Sequence, residues 1–313
     1  MFLDILLLIA GFVLLVIGGN WLLRASVDLA TRLGMSKMII GLTVVSFATS
    51  MPELIVSLNA AFIGSSGIAL GNVIGSNIAN IGLVLGITLL ITPMNIPRNF
   101  FKSDYIFLIF STAVAMFFIV QFGFIARWHG VILILVLAFF IYTLINVKKP
   151  LHYGKAHINK KKHEKWIIIL FFLIIGGGSL WLGSELLVNS AKNIAKSFHV
   201  SEGVIGLTVV AIGTSVPELA ASVIAAIKGE RSISFGNLIG SNIFNILSVL
   251  GITAIIHPIA VEDSRFITND IWWMLGFAVI LYPMAQIGKK FRLGRLSGVM
   301  MLSAYLIFVF LAF

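Results

Sequence analysis

Apolar runs of about 20 residues recur along the chain from Phe2 to its last residues, and the short segments between them hold nearly all of the charge. A run of that length crosses roughly 30 Å of hydrocarbon when helical. Ten runs fit, at 2–23, 38–63, 68–91, 104–124, 129–147, 166–189, 202–227, 233–256, 267–287 and 296–313. The pattern predicts an all-α integral membrane protein of ten transmembrane helices, with no room left for a soluble domain. Polar residues enter these runs in force in two stretches. From Gly41 the chain reads G-L-T-V-V-S-F-A-T-S-M-P-E, then after a spacer G-N-V-I-G-S-N-I-A-N to Asn80; from Gly206 it reads G-L-T-V-V-A-I-G-T-S-V-P-E, then G-N-L-I-G-S-N-I-F-N to Asn245.

The second stretch repeats the first at a constant offset of 165 residues. Roughly 30 of about 50 ungapped positions are identical between segments 41–93 and 206–258, which marks an internal duplication. The expected organisation is a first five-helix repeat at 1–147, a basic loop at 148–165 and a second five-helix repeat at 166–313. Five spans per unit reverse the second unit in the membrane, so the halves form inverted repeats.

Composition agrees with the pattern: 59% of residues are hydrophobic and only 11% charged. No cysteine is present, which removes disulfides and thiolate metal sites. A net charge of +10 raises the question of nucleic acid, but its placement answers it. On an alternating thread, 18 of the 22 Lys and Arg residues fall on one side; only Arg127, Lys192, Lys196 and Arg265 fall on the other. By the positive-inside rule the rich side is cytoplasmic, both termini face outward, and the run from Lys148 to Lys165 is a topogenic loop beside anionic headgroups. The expected partners are therefore the lipid bilayer and transported ions, with no nucleic acid. Asp4 stands where a cleavable signal would carry a basic residue, so the first run reads as a retained helix.

Local chemistry refines the spans. Pro52 lacks the amide that would bond the Ala48 carbonyl, so the second run is expected to bend and free carbonyl oxygens at membrane depth. A G-S-S-G turn at Gly64 to Gly67 follows. Glu53 lies roughly 12 residues before it and Asn80 roughly 14 after it, so both sit about 18 to 22 Å from that surface, near the midplane. The fourth and fifth runs read as packing helices, and Trp272 and Trp273 as an interfacial belt. Glu185 aligns with Asn20 near a membrane edge, as a helix-end carboxylate or an access residue. None of the six histidines is placed for a metal role.

Of twelve carboxylates, only Glu53 and Glu218 fall mid-span, and no Lys or Arg lies at that depth to pair with them. The missing counter-charge is a bound cation, a proton, or both in turn. Asn80 and Asn245 offer amide oxygens; Thr49, Ser50, Ser76, Thr214, Ser215 and Ser241 offer hydroxyls; the bent segments offer carbonyls. Such an all-oxygen set suits Ca²⁺ or Na⁺ rather than Zn²⁺ or copper. Two carboxylates neutralise one divalent ion or two monovalent ones, and a site holding either set but not both is the basis of exchange.

These paired motifs closely resemble the two α-repeats of the calcium/cation antiporter superfamily, in its sodium/calcium exchanger branch of prokaryotic type. The resemblance covers the whole chain. It implies that Glu53 and Glu218 are the main Ca²⁺ ligands, shared with Na⁺, and that Thr49, Ser50, Ser76, Asn80, Thr214, Ser215, Ser241 and Asn245, with the carbonyls of Ser46 and Ala211, complete adjoining Na⁺ sites. It also implies that the first and sixth helices, Phe2 to Leu23 and Trp166 to Asn189, slide against a stationary core. Several exchangers of the branch carry Asp where this chain has Asn245, which leaves two carboxylates rather than three. The central loop of about 18 residues has no space for inserted regulatory domains. The expectation is a secondary antiporter in a prokaryotic plasma membrane, not an enzyme and without a resident cofactor, that exchanges Ca²⁺ for Na⁺ by alternating access. A H⁺/Ca²⁺ exchanger on the same scaffold is the alternative, and a cation channel a more distant one.

Overall fold

In lipid a spanning segment must close its backbone hydrogen bonds within itself, and the apolar runs do so as helices. The computed structural model describes residues 2–146, 164–197, 213–287 and 291–312, so Gly206, Thr208, Ala211 and the basic run from Lys148 to His163 lie outside the described residues. The helices are α1 (Phe2–Leu33), α2 (Lys37–Thr49), α3 (Met51–Phe62), α4 (Ser66–Ile91), α5 (Arg98–Phe122), α6 (Arg127–Asn146), α7 (Trp166–Ser197), α8 (Val216–Ile227), α9 (Arg231–Ile256), α10 (Phe266–Gln286) and α11 (Arg295–Ala312). Among the described residues seven helices are long and apolar enough to cross a membrane, or eight if α2 and α3, bent by 43° at their junction, are one span. The expected spans 202–227 and 296–313 are represented by the shorter apolar helices α8 and α11.

Helices α1 and α7 run beyond their apolar stretches. Arg24 continues α1 with an i,i+4 contact to Asp28 at 4.0 Å and reaches Glu164, just before α7, at 3.0 Å. Arg32 donates to the Glu164 carbonyl and lies 4.4 Å from the Trp166 ring centroid, a cation–π contact. At the opposite end Asn193 donates to Asp4 at 2.9 Å, so the two helices are antiparallel neighbours. Between these ends they meet at glycines. A Cβ on Gly11 would fall 2.7 Å from the Gly183 carbonyl oxygen, and one on Gly18 would fall 2.8 Å from that of Gly176. Membrane helices lack a hydrophobic drive to associate, and such close backbone approach supplies packing contact in its place.

The loops close the molecule at two ends. Strand β1 (Met94–Asn95) pairs with β4 (Arg292–Leu293), and β2 (Phe124–Ile125) with β3 (Ile259–Ala260), both antiparallel. Each pair satisfies backbone groups that would otherwise meet the membrane interface unbonded. Lys37 and Glu230 add an ion pair at 2.6 Å. Every one of these contacts joins segments that an alternating thread places at one end. Enclosed by the rest are α4 and α9, where Ile74, Ile78, Leu85, Leu238, Ile239, Ile243 and Leu247 are all buried.

Candidate cation site

The same backbone break occurs in both copies of the duplicated stretch. Ser50 has φ −85° and ψ 4°, and Ser215 has φ −88° and ψ 3°, each immediately before a helix whose second residue is Pro52 or Pro217. Proline fits there because the first helical turn needs no amide donor. The break therefore places Glu53 and Glu218 in the first turns of α3 and α8, where the positive end of the helix dipole favours an acid. On the facing helices, Asn80 opens a π-helical segment of α4 (Asn80–Leu85) and Asn245 opens its equivalent in α9 (Asn245–Leu250). A third π-helical segment, Gly41–Val45, leads into the break in α2. Widened turns of this kind recur at functional sites.

The two halves contact each other reciprocally. The Thr49 hydroxyl lies 3.3 Å from that of Ser241, and the Ser76 hydroxyl 3.3 Å from that of Thr214, which is the same pair with the copies exchanged. Ser50 donates to Glu218 Oε1 at 3.5 Å. Glu53 and Glu218 are both fully buried and lie within electrostatic reach of each other. Asn80 follows Ser76, and Asn245 follows Ser241, at a spacing of four residues that keeps each pair on one helix face. The structure thus gathers Thr49, Ser50, Glu53 and Ser76 with Thr214, Glu218 and Ser241, while Asn80 and Asn245 lie one turn along the same helices and Ser215 beside Thr214, all three buried. Ser46 has a different place: its hydroxyl bonds to the carbonyls of Gly41 at 2.7 Å and Asn237 at 2.9 Å, and its carbonyl accepts the Ser50 amide at 2.9 Å.

Many polar atoms in this group have no protein partner among the described residues. Both carboxylate oxygens of Glu53, Oε2 of Glu218, the Ser215 hydroxyl and the whole carboxamides of Asn80 and Asn245 are buried without a hydrogen bond. A buried polar atom left unpaired costs about 1–3 kcal/mol, and more when charged, so a cluster of them marks a place built for a ligand. Oxygen-only donors with two carboxylates suit a hard cation as cargo. Among the described residues no group of three or more His, Cys, Asp and Glu side chains comes together, so the two acids work with neutral donors.

Four residues of this region carry roles that composition and motif did not assign. Asn237 donates to Ser222 at 3.0 Å and accepts from Thr49 at 3.1 Å; Asn72 donates to Ser57 at 2.9 Å and to the Glu53 carbonyl at 3.1 Å. The sequence does carry a signal. Asn72 and Asn237 sit four residues before Ser76 and Ser241, and Ser57 and Ser222 four after Glu53 and Glu218. Asn237→Ala removes the donor to the Ser222 hydroxyl and one of the three partners of the Thr49 hydroxyl, which keeps Ser241 and the Ser46 carbonyl, and is expected to weaken Ca²⁺ binding by about tenfold, in the range typical of groups that orient ligands, as read by isothermal titration. Glu185 stands apart, exposed on α7, while its neighbour Ser184 donates to the Gly213 carbonyl at 2.7 Å. His129 is buried against Phe118, its Nδ1 accepting the Ala126 amide at 3.0 Å.

Buried, unpaired oxygens inside a bundle of apolar helices are the arrangement a membrane transporter for cations needs, and similarity to known proteins supplies the class. The family model described as sodium/calcium exchanger protein matches residues 3–146 and 167–313. The chain is 36% identical over 312 residues to the putative antiporter CaxA of Alkalimonas amylolytica, covering 97% of each chain. It is 30% identical over 350 residues to the sodium/calcium exchanger MaX1 of Methanosarcina acetivorans, covering 99% of this chain and 98% of that one. Among solved structures it is similar to the sodium-calcium exchanger NCX_Mj soaked with 10 mM Na⁺ and zero Ca²⁺, with a TM-score of 0.84, 30% identity, and 98% and 97% of the two chains covered. The chain belongs to the sodium/calcium exchanger family of membrane antiporters, and is not an enzyme.

Proposed function

We propose that this protein exchanges Ca²⁺ for Na⁺ across a prokaryotic plasma membrane, by alternating access to one site near the midplane built from Glu53, Glu218 and their neutral oxygen neighbours. The observation that carries this reading is the set of buried, unpaired oxygens around two carboxylates. MaX1 and NCX_Mj, which the chain resembles over nearly its whole length, are exchangers of Na⁺ and Ca²⁺ by name. The frame is ten spans in two inverted halves with both termini outside. The ions are shared: Thr49, Ser50, Ser76, Asn80, Thr214, Ser215, Ser241 and Asn245, with the carbonyls of Ser46 and Ala211, hold Na⁺ around the position that Ca²⁺ takes between the acids.

Charge couples the two fluxes. A bare carboxylate at mid-membrane costs about 2.5–3.5 kcal/mol on insertion scales, so an empty site resists turning through the membrane and a neutralised one does not. One Ca²⁺ or two Na⁺ neutralise Glu53 and Glu218 equally well. In proteoliposomes at clamped pH and voltage, an imposed Na⁺ gradient is expected to drive labelled Ca²⁺ uphill. Protons are the competing counter-ion, because Asn245 leaves the site with two ionisable groups, each able to take up H⁺ in place of Na⁺. Uphill Ca²⁺ movement under a pH gradient alone would transfer the coupling to H⁺, and downhill Ca²⁺ movement with no counter-ion would end the antiporter reading.

A further inference from the structure

One cavity touches the site from the side. It has a volume of about 10 Å³ and is lined by Phe47, Ser50, Met51, Leu54, Phe244, Ser248 and Val249. That is the threshold for holding one water molecule. Its walls are apolar except for two hydroxyls, and one of these belongs to Ser50, which donates to Glu218. The other, Ser248, projects from the π-helical segment that begins at Asn245. The rings of Phe47 and Phe244, both lining it, meet edge to face with centroids 6.0 Å apart. Phe244 is 5% exposed and fixed in the core, whereas Phe47 is 50% exposed and packed on one side alone.

The feature breaks the symmetry of the duplication. By sequence the counterparts of Phe47, Phe244 and Ser248 are Ile212, Ala79 and Leu83, so the other copy offers neither a ring pair nor the second hydroxyl. Nothing in the packing of two equivalent halves requires this difference. An aromatic pair beside two hydroxyls in an apolar chamber does suit a passing cation, because ring faces attract a partly dehydrated positive charge while excluding bulk water.

We propose that this cavity is a waypoint on the cation's route to Ser50 and Glu218, with Phe47 as the movable half of an aromatic gate and Ser248 as a hydroxyl that a passing cation meets on the way. The proposal rests on the cation-site reading and adds the path to it. Because the chain has no cysteine, Ser248→Cys supplies a single thiol with no background. Its reaction with 2-aminoethyl methanethiosulfonate is expected to be slow, to accelerate about tenfold when Phe47→Ala is added, to stay within about twofold with Phe47→Tyr, which keeps the ring, and to slow again in Ca²⁺. Equal rates with Phe47→Ala and native Phe47, or no reaction in any variant, would overturn the gate. Binding of labelled Ca²⁺ to the same folded proteins separates the two claims. Ca²⁺ bound without protection of the thiol overturns the waypoint alone, whereas no Ca²⁺ bound at all overturns the reading of the site.

Discussion

Glu53→Gln and Glu218→Gln are each expected to lower Ca²⁺ flux by more than about 100-fold while leaving the bundle folded. The change is nearly isosteric and removes one negative charge from a pair that is wholly buried. A divalent cation facing one carboxylate keeps an uncompensated charge in a low-dielectric interior. Removing one partner from a buried charge pair costs about 3–5 kcal/mol, which is about two to four decades in an equilibrium constant. Folding is expected to survive, because among the described residues neither Glu53 oxygen is hydrogen-bonded and Glu218 has only the long bond from Ser50. The measurements are labelled Ca²⁺ uptake into proteoliposomes and thermal melting with and without Ca²⁺. The Ca²⁺-dependent rise in Tm should vanish while the cation-free Tm stays close to that of the native chain. Retained transport in either variant would remove the two-carboxylate site.

Gly240→Val should be nearly as damaging, through packing rather than charge. A Cβ at Gly240 would run into the Ser46 hydroxyl and fall 2.7 Å from the Leu42 carbonyl oxygen, and nearby a Cβ at Gly236 would fall 2.6 Å from the Met38 carbonyl oxygen. Helices α2 and α9 thus touch backbone to backbone, and turning the Ser46 hydroxyl aside leaves the contact with the Leu42 backbone in place. Adding bulk to such a contact costs about 1–3 kcal/mol, occasionally more. It also parts Ser46 from the Asn237 carbonyl, and Thr49 from Asn237 and Ser241, the contacts that hold one half of the site against the other. The expected result is a lower cation-free Tm together with at least tenfold weaker Ca²⁺ binding, where the Glu→Gln changes give the second without the first. A variant that melts and binds like the native chain would show that the two helices can part freely.

The difference between those two variants also separates what could be read from the sequence from what could not. The bend at Pro52 was legible, because a missing amide has the same consequence wherever it falls. The acids were legible because lipid makes a mid-span carboxylate conspicuous. By contrast, the π-helical segments at Asn80 and Asn245 leave no mark in residue type, since shifting the hydrogen-bond register requires no particular side chain. Asn72 and Asn237 were visible as part of the duplication, but only the structure shows Asn237 bonded to Thr49 and Ser222 and Asn72 bonded to Ser57 and the Glu53 carbonyl. Hydropathy ended the first span before Arg24, yet α1 continues to Leu33, because hydropathy reports contact with lipid and not helicity. The pairing of Met94 with Leu293 joins loops far apart in the sequence, and local pattern carries no trace of it.

The glycines that join α1 to α7 set a mechanical limit. Gly11 and Gly18 are seven residues apart, as are Gly176 and Gly183, so the two contacts lie two helical turns from each other, about 10.5 Å. A slip of α1 along α7 by a single turn would set Leu14 or Leu15 where only a glycine fits. With Arg24 and Arg32 holding one end and Asp4 the other, the two helices are tied to each other at both ends as well as along their glycine seam.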